Sequence, residues 1–590
     1  MYRKLIFILF FLSIFVFNSS KRHTRLDWDV FGYYLYLPAQ FIYDDIHLEK
    51  KEAWLNPIIE KYHTTEGFYQ AYKGPKDQYV MKYTMGLSMV YAPFFFVADF
   101  IAMLTHADRD GFSPPYQWMM MLCALFFSLL GIYYLFKILS LYFNDTIVFA
   151  TVSLLVFGSN YFVMTTYDGL MPHNFVFTFF AIMLYNTIKW YQEPKIKYAI
   201  AIGFCLGISV LIRPTSAVVV IIPALWQVWS MDTLVARIKL FLKKFSHLFV
   251  IGFVAFLVLL PQLVYWKSVS GQWLFYSYPD EKIQLTKSHI INVLFSYKKG
   301  WLLYTPLMCF AIWGFVSLYK KKKEIFFPLF LFFLANAYLI SCWDCWWYGG
   351  SFAQRPFVES YVFMAFPLAS FIDAVSLKRL RIIVPAGFIA LFLIHLNIFQ
   401  THQAMNGVLH TTLTTKEYYW KVFLKGETTD ENKRWLEPAQ YADGKDVLNP
   451  ALKYEKVYAF GLVLDENTSI LNSNNAFSKP IALPSNLGYD AQDHYLISTV
   501  SIDTTISNTS PDITAHLVTI INKKGKLYEY RSHDFNYNDI KNNKGNIELS
   551  LLIPPQVSDN NYQVQSYIYI DGDKKMKLLG LNGKVEIHAK

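Results

Sequence analysis

Charged residues are scarce in this chain. Only 17% of its 590 residues are Asp, Glu, Lys or Arg, whereas 54% are hydrophobic and 18% are aromatic. A soluble globular protein carries about 25% charged residues. The composition therefore excludes an ordinary soluble protein and indicates that lipid surrounds much of the chain.

Cysteine is also scarce, and neither an internal repeat nor a low-complexity tract is present. Five cysteines are too few for a disulfide framework. Cys342 and Cys345 have the spacing of a redox pair, but the other three cysteines fall inside apolar segments, where a redox partner pair is not expected. A structural disulfide or two free thiols are the alternatives for Cys342 and Cys345.

The net charge of +10 does not indicate a nucleic-acid partner. The basic residues lie in short clusters between apolar stretches, which is typical of the cytoplasmic loops of membrane proteins. No basic face interleaved with aromatic residues is found outside those stretches. The expected surroundings are membrane lipid.

The apolar stretches predict a mainly α, polytopic transmembrane helix bundle of about 11 to 13 spans, since a span needs about 20 apolar residues. The predicted spans are 5–18, 84–105, 116–137, 146–164, 174–190, 198–212, 214–230, 246–266, 301–319, 325–341, 357–374 and 382–400. The first stretch is either an uncleaved anchor or a secretory signal. Both alternatives export the segment that follows, 19–83.

The basic clusters predict the orientation of these spans, because Lys and Arg are enriched in cytoplasmic loops. The segments then expected outside are 19–83, 165–173, 267–300, 342–356 and everything after about 401. The alternation of cytoplasmic and external segments fails once along the chain. Either 84–105, which Pro93 and Asp99 interrupt, dips in and returns, or one of the weaker spans between 116 and 164 does not cross.

Acidic and aromatic residues are concentrated in the exported segment 19–83. An acidic residue beyond the first span and a lysine before the next place a base and an anion-binding group at one membrane surface. The alternative is that these are solvated charges of an ordinary loop. The candidates are Asp27, Asp29, Tyr33, Asp44, Asp45 and Lys82, and His173 lies at the same surface as either a substrate contact or a packing residue.

The segment 342–356 combines three Trp, a Gly-Gly pair and Arg355. Arginine binds phosphate with two parallel hydrogen bonds, which makes Arg355 a candidate for an anionic, lipid-linked ligand. Its structural alternative is a salt bridge with Asp344 or Glu359. Trp346 and Trp347 are either substrate contacts or part of the aromatic belt at the lipid headgroups.

The composition changes after about residue 401, where long apolar runs stop. Residues 401–450 read as a connecting region, and seven alternating segments follow within 451–590. They predict an all-β, antiparallel sandwich with a binding or packing role. The predicted strands are 456–464, 495–503, 513–522, 526–532, 546–552, 563–570 and 577–587.

Residues 1–400 resemble the GT-C superfamily of polytopic glycosyltransferases, in particular bacterial relatives of the lipid A aminoarabinose transferase and the protein O-mannosyltransferases. In that family the first exported loop carries an acidic residue with a Tyr four positions later, which Asp29 and Tyr33 match. A Lys at the start of the next span is similar to Lys82. The Trp-rich loop up to Arg355, and the Gly-x-x-x-Tyr-Thr-Pro motif at 300–306, are similar as well.

The resemblance implies sugar transfer, with inversion, from a polyprenyl-phosphate donor to a glycan, lipid or protein acceptor at the outer face of a bacterial cytoplasmic membrane. Asp29 or Asp27 would act on the acceptor hydroxyl, and Lys82 and Arg355 would hold the departing phosphate. The implied substrate contacts are Tyr33, Asp44, Asp45, His173, Trp346 and Trp347.

One departure from the family pattern concerns the acidic pair of the first loop. This chain has Asp27-Trp28-Asp29, with Val30 where the family has Glu. The departure leaves open which Asp acts and whether a divalent metal binds. The sequence itself assigns no metal ligand and no cofactor.

Two other classes of protein fit the membrane setting. A transporter or flippase for a lipid-linked glycan would show paired charges within the membrane and a two-fold repeat, and neither is visible in the sequence. A membrane anchor that displays the C-terminal domain would leave the exported acids and Arg355 without a role.

Reporter fusions test the orientation. Fusions after residues 242 and 322 are expected to read cytoplasmic and fusions after residues 285 and 420 external, because each cytoplasmic site lies in or beside a basic cluster. An external signal after residue 322 would overturn the topology and the face assigned to the candidate site.

Overall fold

The computed structural model describes residues 8–13, 15–16, 25–278, 281–433 and 435–436, together with ten strands between residues 455 and 589. The chain forms two compact units, Met1–Thr412 and Leu413–Lys590. The predicted division at residues 400 and 450 stays a prediction.

The first unit is mainly helical, and its helices are short around residues 28–62 and long thereafter. They are α1 (Trp28–Tyr34), α2 (Tyr36–Phe41), α3 (Lys51–Tyr62), α4 (Gly86–Thr105), α5 (Pro114–Leu139), α6 (Asp145–Phe157), α7 (Tyr161–Thr166), α8 (Pro172–Gln192), α9 (Ile196–Ile212), α10 (Ile221–Leu225), α11 (Met231–Lys243), α12 (Phe245–Ser270), α13 (Ile290–Phe295), α14 (Trp301–Tyr304), α15 (Leu307–Lys321), α16 (Lys323–Ser341), α17 (Tyr361–Ser376) and α18 (Leu380–Met405). Two 3₁₀ helices, Pro214–Val220 and Arg355–Ser360, precede α10 and α17.

Six helical segments of the described residues are long and apolar enough to cross a membrane: α4, α5, α12, α16, α18 and the segment 355–376 that ends with α17. Each coincides with a predicted span, so the polytopic helix bundle is confirmed. Shorter apolar helices occupy 145–157, 196–212 and 214–225. The predicted span 301–319 is broken between α14 and α15, and 5–18 lies partly outside the described residues.

Helix α4 bears on the two alternatives for the failed alternation of the topology. It runs unbroken for 20 residues through Pro93, which disfavours a segment 84–105 that dips in and returns. Asp99 is tolerated in it because its carboxylate pairs with Arg109 at 2.7 Å and accepts a hydrogen bond from Tyr116 at 2.6 Å. Helix α6 has only 13 residues, about 20 Å at 1.5 Å per residue, which favours the alternative that the weak span 146–164 does not cross.

A helix break at Arg213 brings a charge to the end of α9. The residue before a proline is pushed out of the helical region, and Arg213, before Pro214, is extended with φ −144° and ψ 108°. The apolar sequence 196–225 is therefore divided at Arg213 into α9 and a 3₁₀ helix that continues as α10.

Residues 25–83 form α1 to α3 and a hairpin of β1 (Ala71–Lys73) and β2 (Tyr79–Met81). Two contacts tie the end of this hairpin to α12 and to the loop after it. The Tyr265 hydroxyl accepts from the Met81 N–H at 3.0 Å, and the Lys82 carbonyl accepts from Ser277 at 2.7 Å. The backbone at Lys82 is thus held against residues 265–277, which are far from it in the sequence.

The loops before α13 and after α16 are joined through their backbones. Ile283 and Trp343 form an antiparallel bridge, the Gln284 N–H donates to the Cys342 carbonyl at 2.8 Å, and the Asp344 N–H donates to the Lys282 carbonyl at 3.0 Å. Cys342 and Cys345 are both free thiols in this loop. The bridge places residues 281–289 beside the segment that carries Arg355.

The described strands of the second unit form two four-stranded antiparallel sheets, with strand orders β5-β10-β7-β8 and β3-β12-β6-β9, and a two-stranded pair of β11 and β4. Six predicted strands each overlap one observed strand, and the seventh is divided into β11 and β12. Strand β9 contacts β7 and β8 of the other sheet; the β-sandwich stays a prediction. The strands are β3 (Glu455–Val463), β4 (Ile470–Leu471), β5 (Ile481–Ala482), β6 (His494–Ser501), β7 (Ala515–Lys523), β8 (Lys526–Phe535), β9 (Asn546–Leu552), β10 (Tyr562–Ile570), β11 (Met576–Lys577) and β12 (Asn582–Ala589).

Candidate active site

A cavity of about 1070 Å³ in the first unit brings together residues from widely separated parts of the chain. Its lining includes most of the residues singled out from the sequence: Asp27, Asp29, Tyr33, Lys82, His173 and Arg355. It also includes polar and aromatic residues that the sequence did not assign to a site, among them Tyr69, Tyr83, Asp168, Arg213, Tyr278, Glu281, Trp343 and Tyr348. The sequence-predicted base and both predicted phosphate ligands thus share one cavity.

Asp29 lies in the first turn of α1 and is bound on both carboxylate oxygens. Its Oδ1 accepts hydrogen bonds from the hydroxyls of Tyr83 at 2.7 Å and Tyr69 at 2.9 Å. Its Oδ2 pairs with an Nη atom of Arg355 at 3.0 Å. The two side chains are 24% and 15% exposed, so the ion pair is shielded but keeps access to the cavity.

Gly32 allows the Tyr83 ring to reach Asp29. A Cβ at residue 32 would lie 2.4 Å from a ring carbon of Tyr83, closer than nonbonded carbons approach. The Tyr83 ring also packs on Tyr33, with ring centroids 4.4 Å apart. Tyr33, four residues after Asp29, therefore supports a hydrogen-bond donor to the carboxylate.

The surroundings of Asp29 favour its ionised form. Burial alone raises the pKa of the carboxyl, but the charge of Arg355 and the hydrogen bonds from Tyr83 and Tyr69 outweigh burial, and the pKa falls below its ordinary value. Burial raises the pKa of the Tyr69 and Tyr83 hydroxyls, so both remain donors. Asp29 is a carboxylate at neutral pH, as a base must be.

Lys82 is also paired. Its Nζ lies 3.0 Å from Oε1 of Glu281 and 5.2 Å from the centroid of the Tyr278 ring. The other carboxylate oxygen, Oε2, accepts from the Trp343 indole N–H at 2.9 Å. Glu281 therefore connects the predicted phosphate-binding lysine to the Trp-rich loop.

The loop before Arg355 has an unusual backbone. Tyr348, Gly349 and Ala353 all have positive φ, and non-glycine residues adopt this conformation only where their surroundings enforce it. Lys299 is one such constraint: it is 1% exposed and its Nζ donates to the carbonyl and hydroxyl of Ser351. Burial lowers the pKa of the Lys299 ammonium.

A second ionic cluster lies at the helix break. Oε1 of Glu359 is 3.0 Å from Arg213 and 2.9 Å from Nδ1 of His173. Glu359 thus forms its ion pair with Arg213. The structural alternative, a salt bridge between Arg355 and Glu359 or Asp344, is wrong, because Arg355 pairs with Asp29. The sequence signal for this cluster was the Arg-Pro pair inside an apolar stretch.

Four sequence candidates lie outside the cavity lining. Asp45 accepts hydrogen bonds from the backbone N–H of Glu49 and Lys50 and from the Trp54 indole, and Asp44 precedes it with φ 45°. These contacts stabilise the turn before α3. Of the two tryptophans, Trp346 stacks on His289, and Lys298 lies over the ring of Trp347.

Within the part of the chain that the structure describes, no group of three or more His, Cys, Asp and Glu side chains is arranged to hold a metal ion. Asp29 contacts Arg355, Tyr69 and Tyr83, whereas Glu281 contacts Lys82 and Trp343.

Comparison with known proteins agrees with the resemblance read from the sequence. Residues 112–266 match the family model described as dolichyl-phosphate-mannose-protein mannosyltransferase. The chain has no significant match among curated proteins. The family match confirms the resemblance to the GT-C glycosyltransferases and indicates a multi-pass membrane glycosyltransferase. Asp29, Lys82, Glu281 and Arg355 lie outside the matched residues.

A double-mutant cycle tests the Asp29–Arg355 pair. Asp29→Asn and Arg355→Gln should each lower stability against denaturant in detergent, and the double variant should lose less than their sum, with a coupling of about 0.5–3 kcal/mol, because each single change leaves a shielded charge without its partner. The exposed pair Glu193–Lys195, at 2.7 Å, is the control, and the effects of its two single changes should add. Additive losses at Asp29 and Arg355 would contradict the pair.

Proposed function

We propose that this protein transfers a sugar from a polyprenyl-phosphate donor to an acceptor hydroxyl at the outer face of a cytoplasmic membrane, with inversion at the anomeric carbon. The observation that carries the proposal is the Asp29–Arg355 ion pair, in a cavity that Lys82 also lines. A carboxylate base and two cations in one cavity match the needs of a reaction that takes a proton from one substrate and releases a phosphate from the other.

The transfer is a single displacement. The acceptor oxygen attacks the anomeric carbon, the bond from that carbon to the phosphate oxygen breaks, and the bond to the acceptor oxygen forms. The acceptor proton passes to Asp29, and polyprenyl phosphate leaves with the electron pair of the broken bond. Arg355 and Lys82 stabilise the negative charge that develops on the phosphate.

Donor binding and base strength are coupled through Arg355. The charge of Arg355 lowers the pKa of Asp29, which makes the carboxylate a weak base. A phosphate held by Arg355 through two hydrogen bonds neutralises that guanidinium. The pKa of Asp29 then rises toward the value that burial favours, and the base strengthens when the donor is in place.

The outer face follows from the distribution of basic residues, with Asp29, Lys82 and Arg355 in segments between the cytoplasmic clusters. Asp27 lines the same cavity, but Asp29 holds the contacts to Arg355, Tyr69 and Tyr83. Asp29 is therefore the proposed base. The acceptor is a glycan, a lipid or a protein hydroxyl.

The flippase alternative has one observation in its favour. Glu359, buried within the helical segment 355–376, pairs with Arg213, and paired charges within the membrane are typical of transporters. A flippase would move a lipid-linked sugar intact, whereas a glycosyltransferase releases polyprenyl phosphate. Chromatography of the lipid after incubation with acceptor separates the two activities.

Asp29→Asn keeps the size of the side chain and one oxygen that can accept from Tyr69 and Tyr83, but it removes the base. It should lower transfer about 100-fold or more, whereas Asp27→Asn should retain most of the turnover. Release of polyprenyl phosphate from a radiolabelled donor measures both. Loss in Asp27→Asn alone would move the role to Asp27, and normal turnover in both variants would refute the mechanism.

The pH dependence of transfer should change when Arg355 is neutralised. Arg355→Gln removes the charge that lowers the Asp29 pKa, so burial dominates, Asp29 takes up a proton at higher pH, and the acid limb of kcat/KM moves to higher pH.

Arg355→Lys is the matched control for that measurement, because it keeps the positive charge. Its acid limb should stay near that of the wild type even where its activity falls through loss of the two-pronged phosphate contact. An acid limb in Arg355→Gln that does not move would show that Asp29 is not the titrating base.

A further inference from the structure

One wall of the cavity is aromatic and carries an acid. The Trp343 ring lies edge-on to Tyr278, with centroids 5.7 Å apart, and nearly parallel to Tyr348 at 6.4 Å and 17°. Glu281 stands beside these rings, since it accepts the Trp343 indole N–H at 2.9 Å. All four residues line the cavity.

Flat aromatic faces and a carboxylate together suit a sugar ring. The C–H groups of a pyranose pack against aromatic faces, where apolar contact is favourable. Its hydroxyls are donors, and an ionised carboxylate only accepts hydrogen bonds. The Glu281 side chain is 28% exposed, so its oxygens are accessible from the cavity.

We infer that Glu281, Tyr278, Trp343 and Tyr348 form the subsite for the donor sugar, with Glu281 accepting hydrogen bonds from its hydroxyls. This inference rests on the proposed function, in which Lys82 binds the donor phosphate. Lys82 lies 3.0 Å from Glu281, and the sugar is bonded directly to the phosphate. A phosphate on Lys82 therefore places its sugar against this wall.

Because of the Lys82–Glu281 pair, this subsite can distinguish the glycosylated donor from bare polyprenyl phosphate. When a phosphate binds Lys82, Oε1 of Glu281 loses its hydrogen-bond donor. A shielded acceptor without a donor is unfavourable in free energy. A sugar hydroxyl restores the missing hydrogen bond. Bare polyprenyl phosphate cannot restore it, so the carrier is held less tightly after the sugar has left, which favours its release.

The test compares two probes on the full-length protein in detergent: one synthetic polyprenyl phosphate, bare and carrying mannose or glucose. The wild type should bind a glycosylated probe more tightly than the bare one. Glu281→Gln should reduce that preference about tenfold, because the neutral amide accepts a weaker hydrogen bond and no longer holds Lys82. Trp343→Ala should reduce it as well, by removing the aromatic face.

Glu193→Gln is the matched control, since Glu193 also pairs with a lysine, at 2.7 Å, and does not line the cavity. This variant should prefer the glycosylated probe as strongly as the wild type does. If Glu281→Gln weakens both probes equally, Glu281 serves only to position Lys82 and the inference is overturned, while the proposed function stands. If the wild type binds neither probe, the proposed function fails and the inference fails with it. Should Glu281→Gln not fold, the same ratio in Trp343→Ala decides.

Discussion

The ion pair between Asp29 and Arg355 joins two residues 326 positions apart in the chain. It requires α1, which carries Asp29, to lie against the loop that follows α16, and the backbone bridge between Ile283 and Trp343 holds a third segment beside them. These three segments form part of the wall of the cavity. Its chemistry therefore depends on an interaction that no local stretch of sequence contains.

The same requirement of charge pairing governs the rest of the cavity. Lys82 is paired with Glu281 and Arg213 with Glu359, because a charge shielded from water is costly unless an opposite charge accompanies it. A phosphate that enters such a cavity has to replace a carboxylate on a cation. Replacement at Arg355 changes the basicity of Asp29, and replacement at Lys82 releases an acceptor oxygen of Glu281. Binding of the phosphate thus prepares both the base and the sugar subsite of the proposed mechanism.

Several features were predictable because they depend on local composition. Apolar runs gave the long helices, including α4, whose Pro93 does not break it. Alternating polarity predicted seven strands in the second unit, and six of them each overlap one observed strand. Motif resemblance singled out Asp29, Lys82 and Arg355, which line one cavity. The motifs also singled out Asp45 and Trp346, whose observed contacts lie within a turn and on His289, because a motif gives a residue's place in the chain but not the direction of its side chain.

The sequence by itself determined a membrane-embedded helical unit, a strand-rich unit after it and a set of candidate charges, because hydropathy and periodicity act within a few turns of chain. Only the tertiary structure decided which charges pair. Arg355 pairs with Asp29 and not with Asp344 or Glu359, which are closer to it in the sequence. Lys82 pairs with Glu281. The physical reason is that electrostatic pairing depends on distance in space, and the packing of α1, α16 and the loops between the helices sets those distances.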